Sequence, residues 1–176
     1  EGAIGGTCVN IGCVPSKTLI KAAEICYHAA YSHFEGLTAC PPPSDWQRVI
    51  RQKDELVAAL REERYTNVLA AYRSITLIRS RARLTGGRGV VIAGKTLTPG
   101  KILVATGSRP WAPPIAGLSE SSYLDSTDAL SLPSLPQSLL VVGGGSIGLE
   151  LGQLFARFGV LVTLIEANPH IAAAEE

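Results

Sequence analysis

The chain has 176 residues, of which 16 are Lys or Arg and 15 are Asp or Glu, for a formal net charge of +1. That balance leaves no basic footprint for a nucleic acid or an anionic membrane surface. Hydrophobic residues make up 46%, enough to pack a core and too many for a disordered chain, and no apolar run approaches the roughly 20 residues of a membrane helix.

The glycines and prolines follow no period, which sets aside collagen-like and low-complexity classes. No methionine occurs, no secretory leader is legible, and Glu1–Gly6 reads as the middle of a loop. The chain is expected to be an internal piece of a longer protein.

Residues 1–13 read as a glycine-rich loop carrying Cys8 and Cys13. On a regular helix a five-residue spacing sets two side chains about 140° apart, so these thiols meet only where the chain is not yet a regular helix. Gly12 and Pro15 are consistent with a turn leading into a helix, because proline suits a first helical turn. Cys13 then falls at the helix start with Lys17 one turn on, and both the helix dipole and the lysine favour a thiolate. Composition alone leaves three readings open: a redox-active disulfide, a two-thiolate metal site, or two buried thiols. Cys26, on an apolar stripe, and Cys40, before Pro41-Pro42-Pro43, read as structural. His28, His33 and His170 show no partner spacing.

From Pro15 a helix is predicted by Leu19, Ala22, Ala23, Cys26, Ala29 and Ala30. Ser44 with Gln47 has the form of a capping box for a second helix, ending near Tyr72. Trp46, Val49, Ile50, Val57, Leu60 and Leu69 are among its apolar stripe, and Arg61-Glu62-Glu63-Arg64 reads as a solvated face. Short β-type runs follow at Ile75–Ile78, Ala82–Leu84, Val90–Ile92, Leu97 and Ile102–Ala105, some of them separated by glycine turns. A proline-rich stretch then holds an expected domain boundary, with 113–137 as the connecting segment.

A strand (Leu139–Val142), a helix (about Ile147–Phe158) and a second strand (Leu161–Ile165) close the chain as the start of a βαβ unit. Gly143-Gly144-Gly145-Ser146-Ile147-Gly148 sits between strand and helix as G-x-G-x-x-G, and Glu166 lies 23 positions after Gly143, near the roughly 20 expected of a dinucleotide fingerprint. Gly143 allows the turn, Gly145 admits a pyrophosphate to the backbone, and Gly148 lets helix and strand pack. The amides at Ser146 and Ile147 open the helix toward the phosphates. Glu166 suits a ribose diol and favours NAD over a 2′-phosphate.

Gly5-Gly6-Thr7-Cys8-Val9-Asn10-Ile11-Gly12-Cys13-Val14-Pro15-Ser16-Lys17 strongly resembles the active-site signature of the flavoprotein disulfide reductases. Ile102–Gly107 is similar to the family's second flavin-domain motif, and Ser126–Leu130 to its inter-domain connection. The resemblance covers essentially the whole chain. It implies an α/β, FAD- and NAD(P)-binding Rossmann-type two-domain fold, present only in part. Residues 1–112 would be a partial FAD-binding domain with the redox pair, and 138–176 the start of the NAD(P)H-binding domain. It implies electron flow from NAD(P)H through FAD to a Cys8–Cys13 disulfide, with Cys13 facing the flavin and Cys8 as exchange thiol. Gly6, Thr7, Lys17, Thr106 and Gly107 would contact FAD, and Lys17 and Glu150 stand at the positions of an ion pair beside it.

Within the family, the segments Gly6–Lys17 and Leu149–Gly159 are most similar to those of the mercuric reductases, with dihydrolipoamide dehydrogenases and glutathione reductases as the alternatives. That branch implies Hg(II), held as a thiolate complex by Cys8 and Cys13, as the substrate. It also implies a cytoplasmic homodimer engaged in mercury detoxification, with neither nucleic acid nor membrane as partner. Soft thiolates suit a soft cation. A degenerate nucleotide-binding module would not need both cysteines and Lys17. A thiol sensor would not need the fingerprint.

Overall fold

The computed structural model describes residues 2–31 and 45–173. Cys40, His33, the triple proline and Ser44 of the expected capping box lie outside them.

The expected loop at 1–13 contains a short helix, α1 (Gly6–Asn10), before α2 (Cys13–Ala30). The Asn10 amide explains this correction. It donates to the carbonyls of Gly6 at 2.8 Å and Ile4 at 3.1 Å, and so ties the incoming chain to the helix. The chain breaks at Ile11–Gly12, and α2 starts at Cys13 itself.

α3 (Trp46–Arg61) begins at Asp45, whose carboxylate accepts from the Arg48 amide at 2.9 Å. A capping acceptor thus comes from the residue after Ser44. A π-helical turn (Glu62–Thr66) joins α3 to α4 (Asn67–Ala71), so the expected long helix is present with one irregular turn. Arg61 corrects the solvated-face reading of its run, because its guanidinium donates to Asn10 Oδ1 at 3.2 Å.

β1 (Ala82–Leu84), β2 (Val90–Ile92) and β3 (Lys95–Leu97) form an antiparallel meander. β2 and β3 pair Ile92 with Lys95 across the two-residue turn Ala93-Gly94, both at positive φ (49° and 77°), the geometry that suits a tight hairpin. The strands expected at Ile75–Ile78 and Ile102–Ala105 are not formed. A strand is defined by a hydrogen-bonded neighbour, and no described segment pairs with either one. Their side chains stay exposed, Leu103 at 91%.

α5 (Ser126–Ala129) carries a capping box between Asp125 and Asp128. β4 (Ser138–Val142) and β5 (Leu161–Ile165) pair in parallel, Ser138 with Leu161 through Val142 with Ile165, and α6 (Ser146–Arg157) connects them.

The buried core gathers Leu19 and Ala23 of α2, Trp46 of α3, Leu130 beside α5, and Leu154 and Phe155 of α6, among others. Trp46 meets Phe158 edge-on, ring centroids 5.1 Å apart, and its indole N–H donates to Leu132 O at 2.8 Å. Side chains from the α1–α3 region, the connecting segment and the βαβ unit therefore share one core. Among the described residues no helix is long and apolar enough to cross a membrane.

Candidate active site

The helix break after α1 brings the two cysteines together. Cys8 sits inside α1 and Cys13 is the first residue of α2; both are exposed free thiols. The Cys13 side chain, in hydrogen-bond contact with Cys8, pushes the Cys8 thiol above its usual range, with a smaller contribution from burial. Cys8 is thereby held in its protonated form beside a sulfur at a helix N-terminus. Helix N-termini favour negative charge there.

One turn into α2, Lys17 donates from Nζ to Glu150 Oε1 of α6, forming an ion pair between residues 133 positions apart. Both partners are partly exposed, 59% and 43% by side chain, so the pair adds at most about 1 kcal/mol to stability. Its effect is positional: it fixes α6 against α2 next to the thiols.

Thr7 approaches the segment after Ile102–Ala105. Its hydroxyl accepts from the Ser108 amide at 3.3 Å. Gly107 has a φ of 76°, and a Cβ there would sit 2.8 Å from Thr7 Oγ1, so only glycine fits without displacement. Thr106 and Gly6 are exposed beside this contact.

The fingerprint loop has open backbone amides and tight glycine clearances. No side chain caps α6, whose N-cap is Gly145, so the first amides of Ser146, Ile147 and Gly148 face outward in the manner of an anion site. A Cβ on Gly148 would stand 2.0 Å from Gly143 O, a backbone atom that cannot yield. Gly145 has nothing within 4 Å of its Cβ direction, which leaves the space a pyrophosphate needs. These features fit a dinucleotide.

Glu166 follows directly on β5, at the expected place, and its carboxylate turns back onto the loop. Oε2 accepts from the Gly144 amide at 2.6 Å, while Oε1 accepts from the backbone and side-chain amides of Asn168 at 2.8 and 2.7 Å. The Asn168 and Gly144 backbone amides hold its pKa below the usual carboxylate range. An ionised carboxylate offers about four acceptor sites, so about one is left for a ribose hydroxyl.

A cleft of about 780 Å³ joins these parts. Thr7, Ile11 and Gly12 line it from the cysteine motif, and Gly143, Gly145 and Ser146 from the fingerprint. Among the described residues no group of three or more His, Cys, Asp or Glu converges as a metal site. The Cys8–Cys13 pair is thus the soft-ligand set at hand.

Four participating residues were missed by the sequence reading: Asn10, Arg61, Gly144 and Asn168. Asn10 stood in view between the two cysteines. Gly144, as the middle of three glycines, was open to the question of what its amide meets. For Arg61 and Asn168 the sequence carries no local signal.

The family described as pyridine nucleotide-disulphide oxidoreductase matches residues 2–176. A mercuric reductase from Streptomyces lividans is 45% identical over 182 residues, covering 100% of this chain and 38% of its own length. One from Bacillus cereus is 42% identical over 171 residues, covering 97% and 27%. The chain thus spans well under half the length of these relatives. Among solved structures, the Cu(II) complex of the HOCl-induced flavoprotein disulfide reductase RclA from Escherichia coli is 33% identical, with a TM-score of 0.80, over 98% of this chain and 36% of that one.

Proposed function

The chain belongs to the pyridine nucleotide-disulphide oxidoreductase family, and we propose that it is part of a mercuric reductase in which Cys8 and Cys13 act on Hg(II). The observation that carries this reading is the placement of two adjacent exposed thiols beside a cleft that also holds a dinucleotide cradle. The mercuric reductases among its relatives support the choice of substrate.

In this reading the division is a flavin-binding part at 1–112, a connection at 113–137 and a coenzyme-binding part at 138–176. Thr7, Gly107 and the Ser108 amide border the flavin, with Thr106, Gly6, and the Lys17–Glu150 pair beside them. The Ser146 to Gly148 amides hold the coenzyme pyrophosphate, and Glu166 takes the ribose. Bound FAD supplies a two-electron relay between the nicotinamide and the thiol pair.

The chain's own residues do the rest. Cys13 stands at the positive end of α2, where negative charge on its sulfur is favoured. Cys8 keeps its proton until a ligand or a bond to Cys13 replaces it. With both protons released, the two sulfurs hold Hg(II) as a dithiolate, a pairing of soft donor with soft cation. The net reaction is NAD(P)H + Hg(II) → NAD(P)⁺ + Hg(0) + H⁺, with two electrons passed. The reading further places the protein in the reducing cytoplasm, as a homodimer.

The test is Hg(II)-dependent NAD(P)H oxidation by the full protein that carries this chain, with lipoamide and glutathione disulfide as competing substrates. Mercury-dependent oxidation that Cys8→Ser and Cys13→Ser each abolish is the expected result. Faster turnover with lipoamide or glutathione disulfide would assign the chain to another member of the family.

A further inference from the structure

α3 carries three polar donors on one face that the reaction does not use. Trp46 Nε1 donates to Leu132 O at 2.8 Å, Lys53 Nζ to Leu130 O at 3.1 Å, and Arg61 Nη1 to Asn10 Oδ1 at 3.2 Å. They are spaced by seven and eight residues, so at about 100° per residue they fall within about 80° of one another around the helix axis. Each reaches out of the helix to a polar atom of another segment. Two acceptors are the backbone carbonyls just after α5, and the third is the side chain at the end of α1. Both of those segments line the cleft, α1 and its turn through Thr7, Ile11 and Gly12, and α5 through Ser126, Thr127 and Ala129.

Lys53 is the most informative of the three. Its side chain is only 4% exposed, yet it carries an ammonium group. Its carboxylate partner, Asp54 at 2.6 Å, is 61% exposed. A buried cation is expensive to hold, and packing alone would favour an apolar residue of the same length. What the lysine adds over such a residue is a charge-assisted hydrogen bond to the Leu130 carbonyl, a directional contact that packing does not provide.

We propose that Trp46, Lys53 and Arg61 are positioning residues: α3 is a brace that fixes the α1 and α5 sides of the cleft relative to one another, and thereby sets its fit to the dinucleotide. The inference rests on the reading of the cleft as the coenzyme site. The brace touches no reacting atom. It acts through Asn10 on the turn that presents the thiols, and through Leu130 and Leu132 on the segment facing the fingerprint loop.

Lys53→Met is the decisive variant. It keeps length and packing, and the Asp54 carboxylate it leaves behind is exposed, so no buried charge is stranded. Trp46→Phe removes one N–H while keeping an aromatic ring against Phe158. The measurement is calorimetric titration of the full protein with NADH and with NADPH, alongside kcat, KM and the melting temperature. The expected result is a roughly five- to tenfold weakening of coenzyme binding in Lys53→Met, the scale of a modest coupling between sites. It appears in KM more than in kcat, with the melting temperature lowered modestly by the unpaired Leu130 carbonyl, and with a further loss of affinity in the double variant. Wild-type affinity in both single variants overturns the inference, as does a loss that only tracks the unfolded fraction. Failure of the unsubstituted protein to bind either coenzyme overturns instead the reading of the cleft, and the brace proposal with it.

Discussion

Glu166 is held by its own chain at the place proposed for ribose recognition. Its three hydrogen bonds come from its own chain, two of them from Asn168 and one from the Gly144 amide inside the fingerprint loop. Because its folded pKa is depressed, these bonds are complete at and above the ordinary glutamate range and are lost as pH falls through the lowered value. Dinucleotide affinity is therefore expected to be flat through neutral pH and to fall on the acid side, a dependence that Glu166→Gln removes. Measured as kcat/KM, NADH should serve the unsubstituted protein at least as well as NADPH, since a 2′-phosphate would meet like charge. Glu166→Arg should invert that ratio. It should also lower both values, because Gly144 and Asn168 lose their acceptor. A strong preference of the unsubstituted protein for NADPH would mean that a cation from elsewhere reaches the phosphate.

The βαβ element separates two reasons for a glycine. A methyl group at Gly148 collides with the Gly143 carbonyl at 2.0 Å, whereas one at Gly145 meets nothing within 4 Å. Gly148→Ala is expected to disturb the close approach of α6 to the loop and lower the melting temperature. Gly145→Ala should leave the melting temperature unchanged and still weaken coenzyme binding, because its methyl group occupies the ligand's space. Calorimetric melting beside NADH titration reads both effects. Equal behaviour of the two variants would show that the loop is not the phosphate site. The Asn10 side chain plays a corresponding part at the other motif, holding the short α1 in place so that Cys8 faces Cys13 across the break.

For the molecule as a whole, the shared core sets stability. Phe155 is fully buried between α2, Trp46 and the connecting segment. Phe155→Ala is expected to destabilise the fold by about 3–5 kcal/mol, the range for removing a buried aromatic ring. Because its neighbours come from all three parts of the chain, near-UV signals from Trp46 and far-UV helix signals should be lost in one transition. Two separate transitions, with only the βαβ part affected, would show that the parts fold independently.

The strand–glycine loop–helix of the fingerprint, α2, the three strands of the meander and the turn at the cysteines were legible in the sequence because each depends on local rules. Helical period sets Leu19 and Ala23 on one stripe, Gly94 marks the turn between β2 and β3, and Gly148 must lack a side chain to pass Gly143. The short helix over Gly6–Asn10 was not legible, since the Asn10 side chain rather than periodicity holds it. Only the tertiary structure paired Lys17 with Glu150, buried Lys53 against Leu130, and turned Arg61 from a solvated run onto Asn10. Among the described residues it also gave Ile75–Ile78 and Ile102–Ala105 no strand partners, although their composition favours strands. The physical reason is the same throughout. Periodicity and sterics act between neighbours in sequence, while a hydrogen-bond partner 51, 77 or 133 residues away is chosen only when the segments pack.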